Sequence, residues 1–487
     1  MAGRIGWFLS SALLTALFLP QPSRAQGPPL TPTNPAAGAG SSSDLSGLES
    51  DALGWLQNLI RIDTSNPPGN EIAAAKYLGT ILDKEGIRYE IVQTAPNRAF
   101  LVARLSYSAV PDPSRALLLM AHLDVVGVDK AKWTVDPFGG VIQGNYLYGR
   151  GAIDDKGMVI ACLTTFIQLK RSNARLNRDV IFLAEPDEEA GGTAGMNTIA
   201  EKYWDKIAAG FALNEGGGVR LKGSKVQYIA MQATEKVAYS VDVIAKGTSG
   251  HASMPRSDDP ITHLAAAIAK IGAYETPVQF NSVTRAYFAG IAPTLDDEAS
   301  KWMRALETPD RGDHAARWIS SASLSWNSML RDSIAPTMLQ AGIRNNVIPS
   351  DAKGVINIRL LPGDTIDPLI AKLQQQVNDP AIRFEVEPGS GEAAPSSSSD
   401  SELFKTVVKV AAKQFPGVPV VPEMSTYATD STFLRLRSVQ AYGLLPFPIT
   451  EEDEARMHAE DERLPIDSFR KGVDFLYSVV SDFAAPK

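Results

Sequence analysis

The chain has 487 residues, with Lys+Arg 47 against Asp+Glu 55 and a formal net charge of -8. Apolar residues make up 44% and charged residues 21%, a globular composition that excludes wholesale disorder, and the acidic balance disfavours nucleic-acid or anionic-membrane binding. A single cysteine, Cys162, excludes an intramolecular disulfide framework and an all-cysteine metal site, and with only 5 histidines the place of each one is informative.

Arg4, the uncharged run Ile5 to Leu19, and Ser23-Arg24-Ala25 read as a cleaved secretory signal over residues 1–25. The run is shorter than the roughly 20 apolar residues needed to span a bilayer. Export to a periplasm or the medium is therefore expected, with no stable membrane insertion after cleavage. Residues 26–44, rich in Pro, Gly and Ser, read as a flexible linker. Helical spacing follows over Leu48 to Ile60 and Glu71 to Lys84, separated by Asn66-Pro67-Pro68-Gly69. Tyr89 to Val92 and Phe100 to Leu105 read as strands. The continuous apolar runs Ala116 to Ala121, Val180 to Ala184 and Phe211 to Leu213 suit strands covered on both faces, with Met158 to Leu169 as a crossover helix.

The character changes near Glu235. Tyr239 to Ala245 and Val355 to Leu360 alternate like antiparallel strands with one exposed face, and helices are expected at Asp259 to Gly272 and Leu295 to Leu306. Pro388 to Asp400, with four consecutive serines, marks the return to α/β character, and Leu403 to Gln414 is again helical. The fold expected is α/β, a mostly parallel sheet flanked by helices. Its catalytic domain would be formed by residues 45–235 and 393–487, with an α+β domain at 236–392 inserted between them. Trp302, Trp318 and Trp326 in the insert read as core residues, His263 and His314 as structural or surface, and Cys162 as a buried inert thiol.

Each buried strand ends in a polar cluster, where open α/β sheets place their sites. These are His122-Leu123-Asp124, Asp187-Glu188-Glu189 and Asn214-Glu215. Asp154-Asp155 precedes the crossover helix, and Met457-His458-Ala459-Glu460-Asp461-Glu462 lies near the C-terminus. Histidines and carboxylates suit hard to borderline divalent metals. Taken singly, each cluster has a commoner explanation as a turn or a hydrogen-bonded surface group, and spacing leaves the metal count open.

The stretches HLDVVGV, GRGAIDDKG, PDEEAGG, GTSGHASMP, NNVIPSDA, IRLLPGD and MHAEDE, in this order, resemble the dinuclear zinc peptidase family of aminoacylases, succinyl-diaminopimelate desuccinylases and glutamate carboxypeptidases. Trp133, Pro137-Phe138 and Asp155-Lys156 lean towards its carboxypeptidase S-like branch. The resemblance implies a zinc-exopeptidase fold with an inserted lid or dimerisation domain, and two zinc ions, with cobalt or manganese as alternatives. Asp154 would bridge the metals, His122 and Glu215 would complete one site, and Glu189 and His458 the other. Glu188 would be the general base, and Asp124 would fix the His122 ring. His251 would stabilise the oxyanion, often across a homodimer interface in this family, and Asn346 with Arg359 would grip a substrate carboxylate. The activity implied is hydrolysis of an amide next to a free carboxylate in a small peptide, releasing an amino acid. The alternative is an N-acyl-amino-acid amidohydrolase using the same centre.

Overall fold

The computed structural model describes residues 46–391 and 393–486. The expected signal (1–25) and linker (26–44) lie outside the described residues. Among those described, no helix is long and apolar enough to cross a membrane.

The apolar runs form the centre of a ten-stranded sheet. Leu117–His122 lies between Val180–Glu185 and Phe211–Asn214, parallel to both, and Gln440–Gly443 continues parallel beyond Phe211–Asn214. Strand alternation explains why these runs are apolar throughout. Leu117, Leu119 and Ala121 enter one core, while Leu118 and Met120 enter the other. Phe182 and Ala184 likewise face the first core, and Ile181 and Leu183 the second. Helices Ser46–Ile60, Glu71–Lys84, Lys156–Arg171, Glu402–Gln414 and Ile466–Ala484 supply the first face. Met196–Lys202, Trp204–Ile207 and Ser431–Arg435 supply the second. Cys162 is fully buried in the first core.

The sheet is mixed. Tyr89–Ala95 and Arg98–Leu105 form an antiparallel edge against Val180–Glu185, and Gly218–Lys222 pairs antiparallel with Lys225–Glu235 near the other edge. The parallel core is the part that carries the site, because parallel strands bring their C-terminal ends to one rim.

Residues after Glu235 build a four-stranded antiparallel sheet in the order Ser333–Ala341, Asp351–Leu360, Val237–Lys246, Ile382–Val386. Helices Pro260–Gly272 and Ile366–Val377 cover one face through Leu264, Ala267, Leu369 and Leu373. The run Tyr274 to Ile334 behaves differently from a lid element. Its helices Ser282–Ile291, Asp297–Ala305, Gly312–Ala322 and Leu324–Met329 share a core with Ala230, Val421 and Met424 of the large sheet. Trp302 and Trp318 stack there with ring centroids 6.5 Å apart, and Trp326 packs against the same core. The Ser-rich stretch also belongs to the large sheet. Ser397 donates its Oγ to the Ala441 carbonyl at 2.7 Å and its amide to Ala233 at 2.8 Å. His263 is tied to Asp379, with Nδ1 2.5 Å from the carboxylate, and His314 is exposed.

Candidate metal centre

His122 closes its strand, and Asp124 follows on a short loop. Asp187, Glu188 and Glu189 follow the neighbouring strand, and Glu215 follows the next. Three glycines turn the chain after Glu215. Gly217 has φ +58, and a Cβ there would come within 2.7 Å of the Gly443 carbonyl, so only glycine fits. Asp154 and His458 arrive from loops at the same rim.

The side chains converge on Asp154. Its Oδ1 lies 3.0 Å from His122 Nε2, and its Oδ2 lies 3.0 Å from His458 Nε2. His458 Nε2 is also 3.1 Å from Glu189 Oε1, and His122 Nε2 is 3.9 Å from Glu215 Oε2. One carboxylate thus faces two imidazoles with different oxygens, each imidazole beside a further carboxylate. Metal-binding donor atoms of His122, Glu188 and Glu215 lie within 4.8 Å of one another, as do those of His122, Asp154 and Glu189.

The His122 tautomer follows from its other nitrogen. Nδ1 lies 2.9 Å from the main-chain oxygen of Asp124, which can only accept, so Nδ1 carries the proton and Nε2 offers its lone pair to the centre. The Asp124 carboxylate is farther from the ring, at 3.6 Å, and accepts the amides of Glu188 and Glu189 at 3.1 Å each. Asp124 therefore orients His122 through its backbone, while its side chain sets the loop carrying both glutamates.

The electrostatics fit divalent cations. Burial pushes the carboxyls of Glu188 and Glu215 well above the usual range, with Asp430 and Glu189 adding to the first and Glu188 to the second. Glu215 Oε1 is buried without a hydrogen-bond partner. Against burial, His122 and His458 hold Asp154 below the usual carboxylate range. Asp154 and then Glu189 push His458 up to about 10. So many carboxylates around two imidazoles leave an excess of buried negative charge, which bound cations relieve.

Several residues of the site were not singled out from the sequence. Glu462 is fully buried: Oε1 accepts the amides of Ile153 and Asp154 at 2.8 and 3.0 Å, and Oε2 accepts from Arg150 Nη1 at 2.7 Å and the Gly151 amide at 2.9 Å. It shapes the loop that presents Asp154, and its place in MHAEDE was the only cue. Asn66 donates to Asp124 at 2.7 Å and Asp187 at 3.0 Å, and Arg98 pairs with Asp187 at 2.7 Å and Glu71 at 2.8 Å. These contacts span 27 to 121 positions of sequence, beyond the reach of local pattern.

The remaining sequence candidates lie elsewhere. His251 is exposed and its Nδ1 bonds with Ser253 Oγ at 2.7 Å. Gly250-His251 pairs with Val347-Ile348, and the Ala252 amide donates to the Asn346 carbonyl at 3.1 Å, so His251 and Asn346 form one unit. Arg359 is at the opposite end of the lid sheet, next to Ala238 and Ser333, with its Nε bonded to Asn357 at 2.9 Å. Asn346 sits beyond the Ala341/Ala352 end of the hairpin, and seven residues of strand from Ala352 to Arg359 span about 23 Å. Within a single chain Asn346 and Arg359 therefore do not meet.

An open α/β sheet with two imidazoles and a set of carboxylates at its C-terminal rim defines a metal-dependent hydrolase of the dinuclear exopeptidase type. Residues 118–482 match the model of peptidase family M20/M25/M40, and the chain belongs to that family. It is 29% identical over 393 residues to the probable carboxypeptidase S-like 2 of Dictyostelium discoideum, covering 77% of this chain and 73% of that protein. It is 26% identical over 447 residues to the human N-fatty-acyl-amino acid synthase/hydrolase PM20D1, covering 88% and 86%. Among solved structures, the M20 family metallo-carboxypeptidase Sso-CP2 from Sulfolobus solfataricus superposes with TM-score 0.68 at 19% identity, covering 89% of this chain and 99% of that one. The chain is accordingly a metallopeptidase or amidohydrolase acting on peptide or N-acyl-amino-acid amides.

Proposed function

We propose that this protein is an exported, zinc-dependent exopeptidase of carboxypeptidase type, hydrolysing the amide next to a free carboxylate. The observation that carries the reading is Asp154 facing His122 and His458 with separate oxygens, with the Glu188 carboxylate alongside and free of any hydrogen bond or ion pair to the described residues. His122, Asp154 and Glu215 would hold one zinc, and Asp154, Glu189 and His458 the other. When bound, the metals lower the pKa of water and polarise the scissile carbonyl. Glu188, not needed as a ligand, accepts the water's proton and returns it to the leaving amine. Burial raises its carboxyl, which suits a base that must later act as an acid.

Arg359 holds the substrate carboxylate with paired hydrogen bonds. Because Asn346 and His251 lie together at the far end of the lid sheet, they serve the site of a second copy, and the active form is a homodimer through the lid domain. The edge strand Ser333–Ala341, with Met338 and Leu339 both 64% exposed, is available for that contact.

Chelation should abolish hydrolysis of N-blocked dipeptides, and zinc or cobalt should restore it; no metal requirement would refute the reading. An N-acyl-amino-acid amidohydrolase is the second reading, favoured by the likeness to the human N-fatty-acyl-amino acid hydrolase. A panel of N-acetyl, N-fatty-acyl and peptidyl amino acids separates the two. Sequencing the N-terminus of the exported protein tests the signal, and a start at Gln26 is expected.

A further inference from the structure

Resting on the exopeptidase reading, a second question is what the substrate carries besides its amide and carboxylate. A cavity of about 270 Å³ lies where the strands Gly218–Lys222, Lys225–Glu235 and Val420–Ser425 meet the inserted helices. Arg220, Tyr228, Glu423 and Tyr427 line it from the large sheet and its loops, and Tyr287 and Trp326 from the insert. None of the proposed metal ligands lines it, yet it adjoins them. Arg220 lies on the strand leaving Glu215 and donates to the Gly217 carbonyl at 3.1 Å. Tyr427 lies near enough to Glu215 to feel its charge.

Most polar groups in the cavity already have partners. Arg220 Nη1 is 2.6 Å from Glu454, which also lines the space, and the hydroxyls of Tyr228 and Tyr287 are 3.3 Å apart. The Glu423 carboxylate makes no hydrogen bond or ion pair with a described residue. Arg220 faces both Glu454 and Glu423, so carboxylates outnumber the guanidinium; burial pushes the Glu423 carboxyl up to about 7, and a cation entering the cavity would favour its charged form. Four aromatic rings form much of the wall, and ring faces attract cations. The volume is near the lower end for ligand pockets, enough for one side chain and poorly suited to a long hydrocarbon.

We propose that this cavity reads a second group of the substrate and selects a protonated nitrogen, ammonium or guanidinium, with Glu423 as its counter-ion and the tyrosines and Trp326 as its walls. Such a nitrogen comes either from a basic side chain or from a free α-amine.

The test compares kcat/KM of the metal-loaded full chain on N-blocked dipeptides carrying lysine or norleucine at either position, and on unblocked dipeptides. A charge-assisted hydrogen bond in a desolvated site gives a preference of about tenfold or more. Lysine should exceed norleucine by that factor at one position, or unblocked should exceed blocked substrates, the two results distinguishing side chain from α-amine. Glu423→Gln should shrink the ratio towards one, and Ser325→Trp, at the rim, should do the same with the charge intact. Ratios near one in every pair, ratios unchanged in Glu423→Gln, or a preference for long N-fatty-acyl chains would overturn the proposal. If no dipeptide is cleaved, the exopeptidase reading fails, and tryptophan fluorescence titrated with N-acetyl-lysine amide and N-acetyl-norleucine amide decides for the cavity. Tighter binding of the lysine compound, lost in Glu423→Gln, then sustains it, and equal binding overturns it.

Discussion

Glu462→Gln is the sharpest test of how the centre is built. Each oxygen of Glu462 serves two donors: one accepts the Ile153 and Asp154 amides, the other accepts Arg150 and the Gly151 amide. The amide of glutamine has the same shape, but its nitrogen has no lone pair to offer. Whichever way it is flipped, two buried donors lose their acceptor, and Arg150, 2% exposed, loses its charged partner. Breaking a buried ion pair from one side costs about 3–5 kcal/mol. Two charge-assisted hydrogen bonds at about 1.5–3 kcal/mol each give a similar figure. The variant should lose about 3–5 kcal/mol in denaturant unfolding of the metal-free protein. It should also bind metal more weakly, because either pair of released donors belongs to the 150–154 loop that presents Asp154. Elemental analysis after dialysis against a weak chelator reads the second effect. Stability within about 1 kcal/mol of wild type together with a full metal complement would refute the argument.

Two further predictions follow from the same geometry. Glu188→Gln should lower kcat by about 10²–10⁴-fold with metal content retained, whereas Glu189→Gln should lose metal; normal turnover in the first variant, measured on any cleaved substrate, would remove Glu188 from the mechanism. In the metal-free protein, the His458 imidazolium is stabilised by Asp154 and Glu189 up to about 10, so its contribution is full below the unfolded value near 6.5 and is lost as pH rises through about 10. The buried carboxyls of Glu188 and Glu215 act in the same direction, since their raised folded values favour the protonated form at low pH. Thermal midpoints of the metal-free protein should therefore fall between pH 6.5 and pH 10, and added zinc should flatten the profile; a rise over that range would contradict the charge balance.

Local chemistry made much of this protein legible from its residues alone. Strands Leu117–His122 and Val180–Glu185 announce themselves because both faces are covered, which forces an uninterrupted apolar run that polar residues end at the rim. The candidate ligands sit at those run ends or in short loops, and the resemblance of the motifs around them singled out His122, Asp154, Glu189, Glu215 and His458. Of the inserted helices, Asp297–Ala305 was legible from its spacing, and the docking of the set was not. An amphipathic stripe says that a face is buried, and only the folded chain shows it against Val421 and Met424 of the large sheet.

The tertiary structure alone decided what depends on distance between remote segments. Asn66, Arg98 and Glu462 brace the centre through hydrogen bonds whose partners lie up to 312 positions away, and no local period encodes such a contact. The strand register separated Asn346 from Arg359, although their motifs lie close together in sequence, because residues on one strand advance by about 3.3 Å each and cannot fold back. The same register and packing enclosed Glu423 among Tyr228, Tyr287 and Trp326. Sequence thus determined the elements and the polar clusters at the strand ends, which follow from residue type and short spacing, while the metal count and the reaction class came from the resemblance of the ordered motifs to a known family. The bracing network, the separation of the lid residues and the cavity beside the centre arise from long-range packing, which only the folded chain specifies.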